Sequence, residues 1–122
     1  MRVMLLAKSS PGHEEMTPSA DDEAAAAGYQ AMATFHRDLM DAGVLLASER
    51  LEPSARGVRV RFEGSKRNVI DGPFVESKEL IGGYWVWQVD SMDHAIEWLK
   101  RAPFGDGMEI EIREIAEMPS MV

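Results

Sequence analysis

The stretch VIDGPFVESKELIGGYWVW, residues 69–87, joins a turn-forming segment to the strand that decides the fold. Residues 71–73, Asp-Gly-Pro, are typical of a tight turn, because an Asp carboxylate can accept a backbone amide, glycine relieves backbone restrictions and proline fixes φ. The segment YWVWQV, residues 84–89, is apolar on both faces of an extended strand. Such a pattern indicates a strand covered on both sides. The stretch therefore predicts a loop that leads into the middle of a sheet.

A second interior strand and a helix are predicted nearer the start of the chain. Residues 2–8 are apolar on both pleat faces, as residues 84–89 are. Residues 23–42 then repeat apolar side chains three or four positions apart, which predicts an amphipathic helix that Gly43 ends. The predicted apolar stripe consists of Gly28, Met32, Phe35, Leu39 and Ala42.

A short extended segment, residues 44–51, and a β-hairpin are expected next. In GVRVRF, residues 57–62, Val58, Val60 and Phe62 alternate with two arginines. Strict alternation predicts a strand with one buried and one solvated face. The turn residues 64–66 and the return segment 67–70 complete the hairpin.

The remaining elements are a helix over residues 92–101, which Asp90 or Ser91 can cap, and a final strand in MEIEIREI, residues 108–115. The order of strands and helices favours an α+β, ferredoxin-like sandwich with both helices on one face of an antiparallel sheet. The other face is then apolar, and a symmetric dimer packed sheet against sheet is its simplest cover. That face is expected to hold either Val3, Leu5, Tyr84 and Val86, or the alternate set Met4, Leu6, Trp85 and Trp87.

The composition favours some classes of protein and argues against others. The 122 residues, 45% of them hydrophobic, fit one compact domain. The net charge of −8 argues against direct binding of nucleic acid, whose phosphates attract basic surfaces. The chain has no cysteine, and no apolar run long enough to span a bilayer. We therefore expect a soluble, cytoplasmic protein with no membrane partner.

The motif of the opening stretch resembles that of a known family. Residues 71–79, DGPFVESKE, followed by LIGGY, resemble the DGPF (DGPFAETKE-type) proteins of the YCII-related group, and the likeness extends over nearly the whole chain. It departs in the loop before the first helix, which is longer here. The resemblance implies a dimeric α/β barrel with a cleft between the sheet and the motif loop. It also implies kinship with two kinds of protein. One is enzyme-like, and a His and Asp pair has been suggested as its catalytic unit. The other carries this motif and is often encoded beside extracytoplasmic-function sigma factors.

Six residues are candidates for a site. Asp71 and His36 are the candidate catalytic acid or base, although a turn role for Asp71 and a half-buried structural role for His36 are the simpler alternatives. Lys78 and Tyr84 are candidate ligand contacts. Gly82 and Gly83 indicate a bulge or a close backbone approach, by a ligand or by another chain.

Neither a metal nor an organic cofactor is expected, since the three histidines are widely separated and no metal-binding motif is present. Two functions stay open. One is a small-molecule protein, either enzyme or sensor, with an unknown ligand. The other is a non-catalytic homodimer that acts through protein contacts, with a sigma factor as the candidate partner.

Overall fold

The structure is a computed structural model that describes residues 1–9, 23–74 and 80–119. The elements are β1 (Arg2–Ser9), α1 (Glu23–Asp41), β2 (Leu45–Arg50), a 3₁₀ turn (Ser54–Arg56), β3 (Val58–Glu63), β4 (Lys66–Asp71), β5 (Leu80–Gln88), α2 (Met92–Leu99) and β6 (Ile110–Glu114).

Four of the strands form one antiparallel sheet in the order β2-β5-β1-β6, and β3 pairs with β4 in a separate two-stranded sheet. Strands β5 and β1 occupy the two interior positions of this sheet. This confirms the prediction of interior strands, which was made from the two apolar faces of each segment. The architecture is α+β, with antiparallel sheets and two helices, and it is compatible with a ferredoxin-like fold. The β3–β4 hairpin is inserted in the chain between β2 and β5 of the four-stranded sheet. The described strands of one chain form an open sheet, not a closed barrel.

Both helices pack on the same face of the sheet, as predicted. Phe35 of α1 has its ring centroid 5.8 Å from that of Trp85, and 6.4 Å from that of Trp98 in α2. The buried core consists of Val3, Leu5, Phe35, Leu39, Val44, Trp85, Trp87, Val89 and Ala95. Packing of the two helices therefore buries one side of β1 and β5.

The predicted grouping of side chains on the two sheet faces is wrong. The antiparallel register pairs Val3 with Trp87 and Leu5 with Trp85, so these four side chains share the helix-covered face. The opposite face consequently holds Met4, Leu6, Tyr84 and Val86, a mixture of the two sets that were expected.

Helix α1 ends as the sequence predicts. Gly43 has φ of 72°, and its N–H bonds to the Met40 carbonyl while the Val44 N–H bonds to the Leu39 carbonyl. These are the two hydrogen bonds of a Schellman motif. The apolar stripe is shorter than predicted, because Gly28 and Ala42 are exposed.

Helix α2 is capped by Ser91, whose hydroxyl accepts the His94 N–H over 3.1 Å. The helix begins at Met92 as predicted and ends at Leu99, two residues earlier than expected. The cap satisfies one of the backbone donors that every helix leaves open at its start.

The predicted buried face of β3 is exposed. Val58, Val60 and Phe62 are 60%, 47% and 70% exposed. The alternation correctly predicts a strand and its pairing with β4, but the described part of the chain places no second layer against these side chains.

Candidate functional site

The DGP turn packs tightly against the 3₁₀ turn. A Cβ atom at Gly72 would collide with the Ser54 carbonyl oxygen, so only glycine fits there. The Gly72 N–H donates to the Gly57 carbonyl over 2.9 Å, and the Gly72–Pro73 peptide is cis. Asp71 is exposed at the end of β4, opposite Val58. The turn thus has a structural role, and the catalytic role of Asp71 stays a prediction.

Phe74 attaches the motif to the hairpin. Its N–H donates to the Ser54 hydroxyl over 3.2 Å, and the Arg59 guanidinium lies 3.8 Å from the centre of its ring. A guanidinium over an aromatic face is a favourable cation–π arrangement. The next residues, 75–79, fall outside the described residues, and the predicted ligand contact Lys78 falls among them.

His36 lies between α1 and the sheet. Its Nε2 accepts the indole N–H of Trp85 over 2.9 Å and lies 3.4 Å from the Ser48 hydroxyl. Burial lowers the pKa of His36 below its ordinary value, because a low-dielectric surrounding disfavours the imidazolium. The imidazole is therefore neutral near pH 7, and its Nε2 lone pair is already engaged.

The sheet separates His36 from Tyr84. His36 contacts Trp85, and the side chains of consecutive residues in a strand point to opposite faces. Tyr84 accordingly lies on the face that the helices leave open, and Asp71 belongs to the separate hairpin sheet. Within one chain, the structure places these three predicted site residues in three different surroundings.

The Gly82–Gly83 pair forms the predicted bulge. The register between β1 and β5 shifts between Ala7 and Lys8, opposite Gly82. A Cβ at Gly83 would lie 2.9 Å from the Glu49 carbonyl oxygen. The close approach at Gly83 is thus made by β2 of the same chain. The approach by a ligand or by another chain that the sequence predicted at these glycines stays a prediction.

The open sheet face, which we define as Met4, Leu6, Ala47, Tyr84 and Val86, is apolar and half-buried. Its members come from the three adjacent strands β1, β2 and β5. Contiguous apolar surfaces are typical of interaction and ligand-binding sites, so we treat this face, on which Glu49 of β2 is paired with Tyr84, as a candidate site.

An ionic cluster borders the open sheet face. Glu111 of β6 lies opposite Leu6, and its carboxylate is 3.1 Å from the Lys8 ammonium and 3.3 Å from the Arg113 guanidinium. The hydrogen bond from Lys8, followed by that from Arg113, lowers the pKa of Glu111, so this carboxylate stays ionised. Sequence reasoning missed Lys8 and Glu111. The alternation of MEIEIREI does put Glu111 and Arg113 on one face, but their meeting with Lys8 depends on the register of β1 and β6.

Two depressions lie elsewhere. A shallow groove of about 330 Å³ runs between α1 and residues 101–103, where Arg101 lies 3.7 Å from the Asp38 carboxylate. A smaller cleft of about 70 Å³, beside the Gly82 bulge, is lined in part by Ser9 and Arg50. The smaller cleft has room for about two water molecules, and organic ligands require considerably larger cavities.

A His and Asp contact occurs at the start of α2. His94 Nδ1 lies 3.7 Å from the Asp90 carboxylate and 3.0 Å from the Asp90 N–H, while Nε2 faces the Trp98 indole N–H at 3.1 Å. A neutral imidazole accepts on only one nitrogen, so only one of these N–H groups can be satisfied at a time. The arrangement ties the ring to the first turn of α2.

Neither a cluster of metal-ligating side chains nor a bilayer-spanning helix is found among the described residues. Across residues 1–9, 23–74 and 80–119, no three His, Asp or Glu side chains come together as a metal site. In the same ranges no helix is both long and apolar enough to cross a bilayer.

Comparison with known proteins gives two findings. Residues 1–119 match the family model described as the YCII-related domain. The chain is also 29% identical, over 69 residues, to an uncharacterised protein of Rhizobium meliloti (strain 1021), and the match covers 57% of this chain and 56% of that relative. The chain thus spans a little over half the length of the curated relative that it matches.

Proposed function

The chain belongs to the YCII-related family, and on that premise we propose that it binds a small molecule at the open sheet face, which a second copy of the chain closes. One observation carries this proposal. Tyr84 lies on an apolar surface, and the ionic cluster of Glu111 borders that same surface. Binding sites typically join an apolar lining to a few placed polar groups.

The half-buried apolar side chains of the open sheet face support the proposal of a second copy. Leu6, Tyr84 and Val86 stand on the side of the sheet opposite both helices. A second sheet packed face to face would cover them, and a twofold axis makes the same surface serve both copies. This arrangement is the dimeric α/β barrel that the family resemblance implies.

The ionic cluster suggests the chemical class of the ligand. Glu111 is held between Lys8 and Arg113 at the border of the apolar surface. A molecule with an apolar body and one charged or strongly polar group would place its body against Leu6 and Val86, and its polar group at the cluster. The motif loop leads directly into β5 at Leu80, four residues before Tyr84, so Lys78 remains a proposed contact at the rim.

We favour binding over acid–base catalysis. A general base needs a free lone pair within reach of the substrate proton. His36 Nε2 is engaged by Trp85 on the helix side of the sheet, away from Tyr84. Asp71 is exposed at the end of β4, in the separate hairpin sheet, and its acid–base role stays a prediction.

Native mass spectrometry of the protein as purified tests the proposal. We expect a dimer that carries a reproducible small mass, which Tyr84→Leu and Glu111→Gln release. Glu109→Gln is the matched control, because Glu109 precedes β6 on the same segment and is exposed. A bare wild-type dimer, or a mass that both variants retain, would contradict the proposal.

The competing function is a non-catalytic contact with an extracytoplasmic-function sigma factor. Pull-down with such a sigma factor tests it. Under this alternative the wild-type protein and the Tyr84→Leu variant capture the factor equally well, and failure of the wild-type protein to capture it would contradict the alternative.

A further inference from the structure

The groove between α1 and residues 101–103, which we name the helix-side groove, has the composition of a small-molecule site. Its volume is about 330 Å³, and it lies on the side of the sheet away from the open sheet face. Four of its six lining residues offer carbon atoms for apolar contact, and the other two carry opposite charges. The six are Ala31, Thr34, Phe35, Asp38, Arg101 and Pro103. An apolar lining with a few placed polar groups is typical of sites for small organic molecules.

The apolar part of the helix-side groove is built on the aromatic core. Phe35 is 4% exposed, so only a small part of its ring reaches the groove. The ring is held against Trp85 and Trp98, at centroid distances of 5.8 and 6.4 Å. The Thr34 hydroxyl donates to the Gln30 carbonyl over 3.1 Å, which leaves its methyl group for apolar contact. The floor is therefore fixed in shape and suited to a hydrocarbon group.

Arg101 is held in place at the opposite wall. Its guanidinium lies 4.2 Å from the centre of the Trp98 ring, a favourable cation–π arrangement, and its N–H donates to the Trp98 carbonyl over 3.1 Å. The Ala102 N–H donates to the Leu99 carbonyl over 3.0 Å, and the ring of Pro103 restricts φ. A preformed binding group loses little conformational entropy when a ligand arrives.

Arg101 and Asp38 attract each other without a close hydrogen bond. Nη2 of Arg101 lies 3.7 Å from Oδ2 of Asp38, whereas charge-assisted N–H···O bonds are about 2.7–2.9 Å long. The two side chains are 57% and 45% exposed, so a ligand can reach both. Ion pairs at such exposure contribute little to stability. Both charges are thus available for recognition.

Two opposite charges this close together select a zwitterion. A ligand that carries only a carboxylate is attracted by Arg101 but repelled by Asp38, and a ligand that carries only an amine experiences the reverse. Phosphate compounds, with their larger negative charge, are repelled by Asp38 more strongly still. A ligand with both groups satisfies both residues, because the guanidinium fork matches a carboxylate and an ammonium pairs with the aspartate. In a free α-amino acid these two groups are attached to one carbon, and the side chain leaves that carbon in a third direction.

We propose that the helix-side groove binds a free α-amino acid with an apolar side chain. Its carboxylate contacts Arg101, its ammonium contacts Asp38, and its side chain packs against Phe35 and Pro103. All six lining residues belong to one chain, so the site needs no second copy. It is separate from the open sheet face and does not depend on the proposed function.

Isothermal titration calorimetry with L-leucine, L-methionine and L-phenylalanine tests the site. We expect at least one of the three to bind the wild-type protein with a dissociation constant of about 1 mM or below. Analogues of leucine separate the contributions, since isocaproate lacks the ammonium, isoamylamine lacks the carboxylate and glycine lacks the apolar side chain. Each should bind at least about tenfold more weakly than leucine, because each leaves part of the site without its partner.

Variants test the residues one by one. Arg101→Gln and Asp38→Asn each remove one charge and should weaken binding at least about tenfold. The matched controls are Arg37→Gln and Asp41→Asn, the same changes at exposed positions of α1 outside the groove, which should stay within about twofold of wild type. Ala31→Phe fills the groove from an exposed position of the helix, so it should abolish binding without removing a charge. Circular dichroism identifies any variant that fails to fold.

Three results would overturn the proposal: dissociation constants above about 1 mM for all three amino acids, an analogue that binds as tightly as leucine, or binding that Arg101→Gln and Ala31→Phe leave unchanged. Failure of this proposal is distinguishable from failure of the proposed function. A small mass retained by the purified protein belongs to the open sheet face if Tyr84→Leu releases it, and to the helix-side groove if Arg101→Gln releases it.

Discussion

The indole N–H of Trp85 donates to Nε2 of His36 across the interface between the sheet and α1, over 2.9 Å. Protonation of His36 at Nε2 would replace this acceptor with a second donor. The bond and the burial of the ring thus act in the same direction, and both favour the neutral imidazole.

Stability should therefore depend on pH through His36. The pKa of His36 is lowered in the folded state from its ordinary value of 6.5, so the unfolded chain binds the proton first as the pH falls. We expect the free energy of unfolding to decrease as pH falls through about 6.5, until the folded-state pKa is reached. Urea denaturation at pH 7.5 and 5.5 measures this decrease in the free energy of unfolding. The decrease should be smaller in the His36→Gln variant. An equal loss in His36→Gln would assign the pH dependence to other groups.

Gly72→Ala should destabilise the protein strongly. The added Cβ collides with the Ser54 carbonyl oxygen, so the DGP turn must move away from the 3₁₀ turn, at a cost of about 3 kcal/mol. Gly105→Ala is the control, because no heavy atom lies within 4 Å of a Cβ built there. Urea unfolding of the two variants gives the comparison, and similar stabilities would show that the turn relaxes freely.

The sequence predicts the elements well because their signals are local. The two apolar faces of β1 and β5 identify interior strands, and Gly43 marks the end of α1 through its positive φ. The division of side chains between sheet faces was wrong for Tyr84 and Val86, because it depends on the register between two strands far apart in the chain.

The candidate site was less predictable for the same reason. Lys8 and Glu111 are 103 positions apart, and only the pairing of β1 with β6 brings them to 3.1 Å. The wrong prediction of a buried face on β3 also has a non-local cause. Alternation predicts that one face of a strand is suited to burial, but it does not say what, if anything, covers that face. His36 was correctly placed as a half-buried residue, but its partner Trp85 lies 49 positions away.

Two glycines, one within α1 and one just after its end, should respond to alanine in opposite directions. Gly43 has φ of 72°, and an L side chain there costs about 1 kcal/mol. Gly28 lies within α1 with open space around its Cβ position, so Gly28→Ala should stabilise by about 0.5–1 kcal/mol through the lower entropy of the unfolded chain. Thermal unfolding of the single variants measures both signs. A loss of stability in Gly28→Ala would mean that this exposed position contacts a partner.

The two stacked tryptophans of β5 give the last comparison. Trp85 and Trp87 have ring centroids 5.3 Å apart on the same sheet face, and both are buried. Their indole nitrogens differ, since Trp85 Nε1 bonds to His36 whereas Trp87 Nε1 has no partner among the described residues. A buried donor without an acceptor is unfavourable, so its removal offsets part of the packing loss.

Trp87→Phe should therefore cost less stability than Trp85→Phe, by about 1–2 kcal/mol. Each change removes a similar aromatic volume, but only Trp85→Phe also breaks a buried hydrogen bond and leaves His36 Nε2 without its donor. Urea unfolding at pH 7.5, where His36 is neutral in both the folded and the unfolded chain, isolates this difference. The opposite order would mean that Trp87 Nε1 has an acceptor in solution, for which a buried water or a bound ligand would then be sought.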